Sequence, residues 1–140
     1  MPRSLRSLDM ATGALEYVMT EEEFQQLKSA DDDTKKILFE KFWKQKDQTP
    51  GTAFNEAMEE YYRRVDYALQ HFETLRQENG MKSDRGKAYI LYGSPTKTER
   101  NLSPGSSPTE VWYYSKLKKK LTFIDEHRSG DYRLTSVDRI

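Results

Sequence analysis

The stretch from residue 54 to residue 80, FNEAMEEYYRRVDYALQHFETLRQENG, has the clearest periodicity in the chain. Its apolar residues recur at alternating intervals of four and three, which is the spacing along one face of an α-helix. They are Phe54, Met58, Tyr61, Val65, Ala68, Phe72 and Leu75. Gly80 then stands where a helix commonly ends. The pattern predicts a helix of about 25 residues whose stripe packs on the sheet that follows, although a coiled-coil or partner seam fits the same stripe.

Two shorter helices are predicted before the long one. Thr20 and Glu23 form a capping box, in which each side chain bonds the backbone N–H of the other, so we expect a helix over residues 21–29. Three aspartates then favour a second helix, over residues 34–46, because acidic groups stabilise the positive end of a helix. In that helix Trp43 lies one turn after another aromatic residue, which predicts a buried aromatic pair.

The C-terminal half has a strand pattern. Short runs rich in β-branched and aromatic residues are separated by turn residues, and this spacing suits an antiparallel meander. The predicted strands are Ala88–Tyr92, Glu110–Tyr114, Leu121–Ile124 and Tyr132–Leu134. Helices followed by strands indicate an α+β fold, with the long helix packed on a C-terminal antiparallel β-meander of about four strands. Residues 1–14 and 136–140 are expected to be flexible tails around a single domain at 15–135.

Aromatic and apolar side chains fall on both faces of the predicted sheet, because successive residues of a strand point to opposite sides. A five-residue strand spans roughly 17 Å. A helix of about 25 residues extends on the order of 38 Å, so one end of it is expected to overhang the sheet. Apolar surface left uncovered usually marks a partner or ligand site. The candidate interaction surface is therefore Tyr89, Trp112, Tyr114, Phe72 and Leu75.

Composition narrows the classes of function. The 140 residues carry 23 Lys and Arg against 23 Asp and Glu, so no net charge draws the chain to nucleic acid or to an anionic membrane. The absence of cysteine excludes a thiolate nucleophile and a Cys-ligated metal. No apolar run reaches the roughly 20 residues of a membrane helix, and Met1–Thr12 lacks the apolar core of a signal peptide. From the residues alone we expect an intracellular protein or a segment of a longer one.

Several polar and aromatic stretches occur in a characteristic order. They are FWKQKDQTPGT (42–52) with NE (55–56) and YRRV (62–65), GMKSDRG (80–86), EVWYY (110–114) and GDYRL (130–134). In this order they resemble the bacterial GWxTD-domain family, with Met81 and Ser83 standing where the family's Gly-Trp-x-Thr-Asp-Arg-Gly motif has Trp and Thr. The resemblance covers residues 15–135. It implies no established activity, and because family members are often exported it leaves the compartment open.

Two polar clusters in these stretches are interpreted as structural. In Asp84-Arg85-Gly86, Asp84 is expected to accept from loop N–H groups, Arg85 to pair with an acid, and Gly86 to adopt a conformation that other residues avoid. An anionic ligand held there is the alternative. The second cluster surrounds the turn between Trp43 and the long helix, and comprises Asp47, Thr52, Asn55 and Glu56. These residues are expected to cap helices and brace the turn, since the calcium-loop pattern is absent.

No catalytic, cofactor-binding or metal-binding motif is recognised, and His71 and His127 stand alone. We expect a non-catalytic protein–protein interaction or structural module of a larger protein or assembly, whose partner is another chain, identical or different. The alternative is single-stranded nucleic acid stacked on the sheet aromatics, with phosphates meeting Lys87, Lys97, Lys116, Lys118, Lys119 and Lys120. An enzyme with an unrecognised site is a third, less favoured interpretation.

Overall fold

The computed structural model describes residues 2–47, 55–74 and 79–140. In these ranges the α-helices are α1 (Leu8–Gly13), α2 (Glu21–Ser29), α3 (Asp32–Lys46), α4 (Glu56–His71) and α5 (Asp84–Tyr92). The strands are β1 (Lys97–Asn101), β2 (Thr109–Tyr114), β3 (Lys119–Ile124) and β4 (Arg133–Arg139). Short 3-10 helices lie at Arg3–Arg6, Ala14–Tyr17 and Gly80–Lys82. The predicted α+β class is confirmed.

The chain divides into two compact units, an N-terminal unit over Met1–Asp66 and a C-terminal unit over Tyr67–Ile140. The single domain expected from sequence is thus built as two units, with the division inside α4. Each unit has its own core.

The first residues of the N-terminal unit are helical, in contrast to the expected tail. The Asp66 carboxylate accepts from the backbone N–H groups of Arg3 at 2.7 Å and Ser4 at 2.9 Å. Ser4 is fully buried, and its hydroxyl donates to the carbonyl of Tyr62. Because polar contacts hold this segment in place, its helical structure leaves no hydrophobic periodicity in the sequence.

Aromatic side chains form the core of the N-terminal unit. Trp43 is buried, and its ring lies 5.4 Å from that of Tyr61 and 5.7 Å from that of Tyr62. The two tyrosine hydroxyls donate to the carbonyls of Ala14 at 2.5 Å and Ala11 at 2.6 Å. Burial raises the pKa of both hydroxyls far above their usual range. The predicted burial of Trp43 is confirmed.

The helix ends of this unit follow the predicted caps. The capping box of Thr20 and Glu23 is present at the start of α2, and Asp31 caps α3 through the backbone N–H of Thr34 at 2.7 Å. Asn55 joins α3 to α4, because its amide nitrogen donates to the Trp43 carbonyl at 2.7 Å and its oxygen accepts from Met58 at 3.0 Å.

The long helix is shorter than its apolar stripe predicts. It is 16 residues long and ends at His71 rather than just before Gly80. Phe72 leaves the helical path with its ring 5.5 Å from that of Trp112 in β2, so the stripe continues as core contact after the helix has ended. Phe54, Leu75 and Thr52 lie outside the described residues.

The predicted strand at Ala88–Tyr92 is wrong, because these residues belong to α5. Ser83 caps this helix by accepting from the backbone N–H of Gly86 at 3.1 Å. Gly93, with φ of 79°, ends it in a conformation that favours glycine. A cap on each side decides the structure of an apolar run that by itself fits either a strand or a helix.

The sheet of the C-terminal unit is an antiparallel meander in the order β1-β2-β3-β4. Strands β2 and β3 confirm two predicted strands, whereas β1 was not predicted and β4 is longer than expected. One face is covered, and its buried residues are Glu110, Trp112, Tyr114, Leu121 and Phe123. Helix α5 is tied to this sheet at both ends, since Leu134 donates to Asp84 at 2.8 Å and Tyr114 donates to the Gly93 carbonyl at 2.8 Å.

Candidate functional site

The predicted interaction surface is not an exposed surface. Trp112 is only 2% exposed, and Tyr114 and Phe72 are also buried. Tyr89, which was placed on the sheet, lies half-buried on α5. The predicted exposure of the sheet aromatics is wrong because alternate residues of β2 face inward, and α5 belongs to the layer that covers them. Leu75 lies outside the described residues.

Three of these aromatic residues, Phe72, Tyr89 and Trp112, nevertheless border one cleft with a buried carboxylate. The Glu110 side chain, 6% exposed, belongs to the covered face of β2 beside Trp112. Its Oε1 accepts from the indole N–H of Trp112 at 2.6 Å. Its Oε2 accepts from Arg100 Nε at 2.9 Å and Arg85 Nη1 at 3.4 Å. Two guanidinium groups therefore converge on a single carboxylate oxygen.

Helix α5 and strand β1 position the two arginines. Arg100 pairs with Glu110 in the β1–β2 register, so the backbone ladder holds the two side chains side by side. Arg85 is the second residue of α5, and its guanidinium lies over the ring of Tyr132 at 4.4 Å and that of Phe72 at 5.3 Å. Burial lowers the pKa of Arg85, while the neighbouring Glu110 charge acts in the opposite direction.

The turn between β3 and β4 completes the surroundings of Arg85. Asp125 is buried, and its carboxylate accepts from the backbone N–H of Ser129 at 3.0 Å and of Gly130 at 2.8 Å. The Gly130 carbonyl in turn accepts from Arg85 Nη2 at 3.4 Å. Asp125 thus orders the loop that meets Arg85, and the backbone amides compensate its own charge.

A cleft of about 260 Å³ opens beside this cluster. Aromatic rings form one part of its wall, and the arginines with Glu110 form the polar part; Pro95 and Thr98 complete the lining. The aromatic lining residues are Tyr67, His71, Phe72, Tyr89 and Trp112. Tyr67 stacks on Tyr89 at 4.2 Å with an interplanar angle of 11°, and the His71 ring lies 4.1 Å from that of Tyr67. The lining of the cleft combines charged groups with aromatic rings, and such a lining is typical of binding sites.

Sequence reasoning missed Glu110, Arg100 and Asp125 as members of this cluster. A signal for Glu110 is present in the sequence, because the residue shares a strand face with Trp112 and Tyr114. A carboxylate on an apolar face needs partners to compensate its desolvation. Arg100 carries no comparable signal, since β1 has no apolar pattern.

The remaining predicted residues do not join the cleft. Asp84 contacts β4, and Gly86 lies so close to the Gly80 carbonyl that a Cβ at position 86 would collide with it. Asp47 ends α3 and Glu56 begins α4, in the N-terminal unit. His127 is exposed in the turn before β4.

In the nucleic-acid alternative, Tyr89, Trp112 and Tyr114 would stack on bases. Trp112 and Tyr114 are buried, and Tyr89 is half-buried on α5. Over 2–47, 55–74 and 79–140, no group of three or more His, Cys, Asp or Glu residues is arranged to hold a metal. No helix in these ranges has the length and apolar character needed to cross a bilayer.

The two outer strands of the sheet differ in chemistry. Every residue of β1 is exposed, and the strand carries Lys97, Glu99 and Arg100. At the other edge, β4 and the residue after it expose three large apolar side chains. Their exposed fractions are 39% for Leu134, 51% for Val137 and 50% for Ile140. The free edge of β4 is therefore the apolar edge of this sheet.

These features define an α+β protein whose C-terminal unit carries an aromatic cleft with a buried ionic cluster and one apolar sheet edge. The model of the GWxTD domain matches residues 2–136, nearly the whole chain, and the chain belongs to the GWxTD domain family. Gly80–Gly86, the stretch that resembles the family's naming motif, forms the 3-10 turn and the first residues of α5. No curated protein and no solved structure matches the chain significantly.

Proposed function

We propose that this protein is a non-catalytic interaction module, which joins a second copy of the chain through the free edge of β4. The observation that carries the proposal is the exposure of Leu134, Val137 and Ile140 on this edge. Unpaired strand edges with apolar side chains are templates for pairing with another chain.

The backbone direction along β4 supports pairing at Val137. Ile140 donates its N–H inward to the Lys118 carbonyl. Because the N–H and C=O groups of a strand alternate in direction, those of Val137 and Arg139 point away from β3. The outward N–H of Leu134 is already bonded to Asp84, so the free part of the edge begins after it.

The identity of the strand favours an identical partner. If two copies pair antiparallel about Val137, that residue lies opposite its own counterpart and forms two backbone hydrogen bonds. Asp138 then faces Ser136 and Arg139 faces Thr135, so no like charges are directly opposite. The other outer strand, β1, carries several charges, which commonly protect an edge from such pairing.

Sedimentation of the purified chain tests the proposal. Over a range from about 1 µM to about 200 µM, we expect a reversible monomer–dimer equilibrium. Val137→Glu places a charge at the centre of the contact and is expected to leave only monomer, because two carboxylates would then face each other. Asn101→Glu is the matched control, since it adds the same charge to the exposed β1 edge and is expected to leave the dimer intact.

Two results would overturn the proposal. One is a strictly monomeric wild-type chain over the whole concentration range. The other is a dimer that Val137→Glu weakens no more than Asn101→Glu does. Circular dichroism of both variants, compared with the wild type, verifies that the fold is retained.

A further inference from the structure

We propose that the aromatic cleft of the C-terminal unit binds a carboxylate carried by a flat apolar group, with Arg100 as the ion-pair partner. This site is separate from the β4 edge and does not depend on dimer formation.

The charges that line the cleft do not cancel. Two guanidinium groups, of Arg85 and Arg100, share the single carboxylate of Glu110. That carboxylate already accepts three hydrogen bonds, including the one from Trp112. Asp84 and Asp125 do not line the cleft, although the charge of Asp125 also acts on Arg85. Among the charged groups that line the cleft, two guanidinium groups face one carboxylate, and this excess of positive charge in the lining favours an anion.

Arg100 has the donors to receive that anion. Its Nε donates to Glu110, while its side chain remains 60% exposed at the cleft. Within the described parts of the chain, its two terminal nitrogens make no hydrogen bond to another side chain or to the backbone. A guanidinium group presents two parallel N–H donors at the spacing of two carboxylate oxygens. Because the bond to Glu110 fixes the orientation of Arg100, these donors are preorganised.

The aromatic residues that line the cleft favour a flat apolar group next to the carboxylate of the ligand. The stacked rings of Tyr67 and Tyr89 and the ring of Phe72 border the same cleft as Arg100. Its volume of about 260 Å³ lies just below the range typical of small-molecule pockets. The space therefore suits one ring-sized group. Two sources share this chemistry: a free aromatic acid, and the C-terminal residue of a polypeptide that ends in an aromatic side chain.

Titration of the ¹⁵N-labelled full chain with benzoate tests the inference. The reporter is the indole N–H signal of Trp112, which bonds the carboxylate that orients Arg100. We expect saturable shifts with benzoate, and affinity at least about tenfold weaker for the neutral analogue benzamide, because the ion pair is lost. Inorganic phosphate, an anion without a ring, is expected to bind more weakly than benzoate.

Variants localise the binding to the cleft. Arg100→Gln removes the charge at an exposed position and is expected to weaken benzoate binding at least about tenfold. Arg100→Lys keeps the charge but not the paired donors, so an intermediate affinity is expected. Arg6→Gln is the control, since it removes an equal charge from an exposed position of the N-terminal unit and is expected to bind benzoate as the wild type does.

A second comparison separates the two sources. A short peptide that ends in phenylalanine with a free carboxylate is titrated beside its C-terminal amide and beside benzoate. Tighter binding of the free-acid peptide than of benzoate assigns the cleft to a chain terminus, and the reverse order assigns it to a small acid. The inference fails if benzoate and benzamide bind equally, if neither moves the Trp112 signal, or if Arg100→Gln binds as the wild type does.

Discussion

Replacement of the buried carboxylate tests the central cluster of the C-terminal unit most directly. Glu110→Gln keeps the shape of the side chain and removes its charge, so no cavity complicates the result. The wild-type carboxylate accepts from Trp112, Arg85 and Arg100. The variant leaves the guanidinium of Arg85, whose side chain is only 11% exposed, without its compensating charge.

The magnitude follows from the burial of each pair. Breaking a buried ion pair by removing one partner typically costs about 3–5 kcal/mol. The half-exposed Arg100 contributes little to this, because solvent screens exposed pairs. The amide oxygen of Gln can still accept from Trp112. We therefore expect Glu110→Gln to lower the free energy of unfolding by about 2–4 kcal/mol.

Urea denaturation followed by circular dichroism and by tryptophan fluorescence measures this change. Glu99→Gln is the control, because Glu99 is also ion-paired, at 2.9 Å to Lys97, but half-exposed on β1. It is expected to change the free energy of unfolding far less than Glu110→Gln does, because solvent screens an exposed pair. In the background of Arg85→Met, Glu110→Gln should cost much less, since the uncompensated charge is then absent. A loss below about 1 kcal/mol for Glu110→Gln in the wild-type background would refute the reasoning.

Three further predictions concern single residues. Trp43→Ala is expected to destabilise the chain by about 3–5 kcal/mol in equilibrium denaturation, because it empties the aromatic core of the N-terminal unit. Asp84→Ala is expected to cost about 0.5–2 kcal/mol and to speed hydrogen exchange of the Leu134 amide, which loses its acceptor. The backbone N–H of Thr20 donates to Glu23 and lowers the pKa of its carboxyl below 4.5. The capping box therefore stabilises α2 fully above pH 4.5, and this stabilisation is lost as the pH falls through the lowered pKa of Glu23. Acid titration of helicity should show less of this loss for Glu23→Gln.

Helices α2 and α3 could be predicted from their caps, and the segment at residues 3–6, which a distant polar contact holds, could not. The capping box at Thr20 and the aspartate cap before α3 use neighbours in sequence, and both are present. Residues 3–6 depend on Asp66, more than 60 positions away, which no local pattern shows. Helix α5 was missed for a different reason. Its apolar residues suit a strand by β propensity, and the caps that make it a helix, Ser83 and Gly93, lie outside the apolar run itself.

The candidate site was predicted in its aromatic half only. Phe72, Tyr89 and Trp112 were selected because they are apolar, and they do border one cleft. Their expected exposure was wrong, since the register of β2 turns Trp112 inward. The polar half requires the pairing of Arg100 with Glu110 across two strands, and β1 has no pattern that identifies it as a strand.

The contact between Gly80 and Gly86 has a consequence for how this family's motif tolerates change. A Cβ at position 86 would collide with the Gly80 carbonyl, and a Cβ at position 80 would collide with the Ala68 carbonyl in α4. The end of α4, the 3-10 turn and the start of α5 are thus stacked backbone on backbone. In a library that randomises both glycines, neither position can compensate for the other, because each collision involves a different carbonyl. Selection for folded protein should therefore return glycine at position 80 and at position 86 independently, whichever residue stands at position 81.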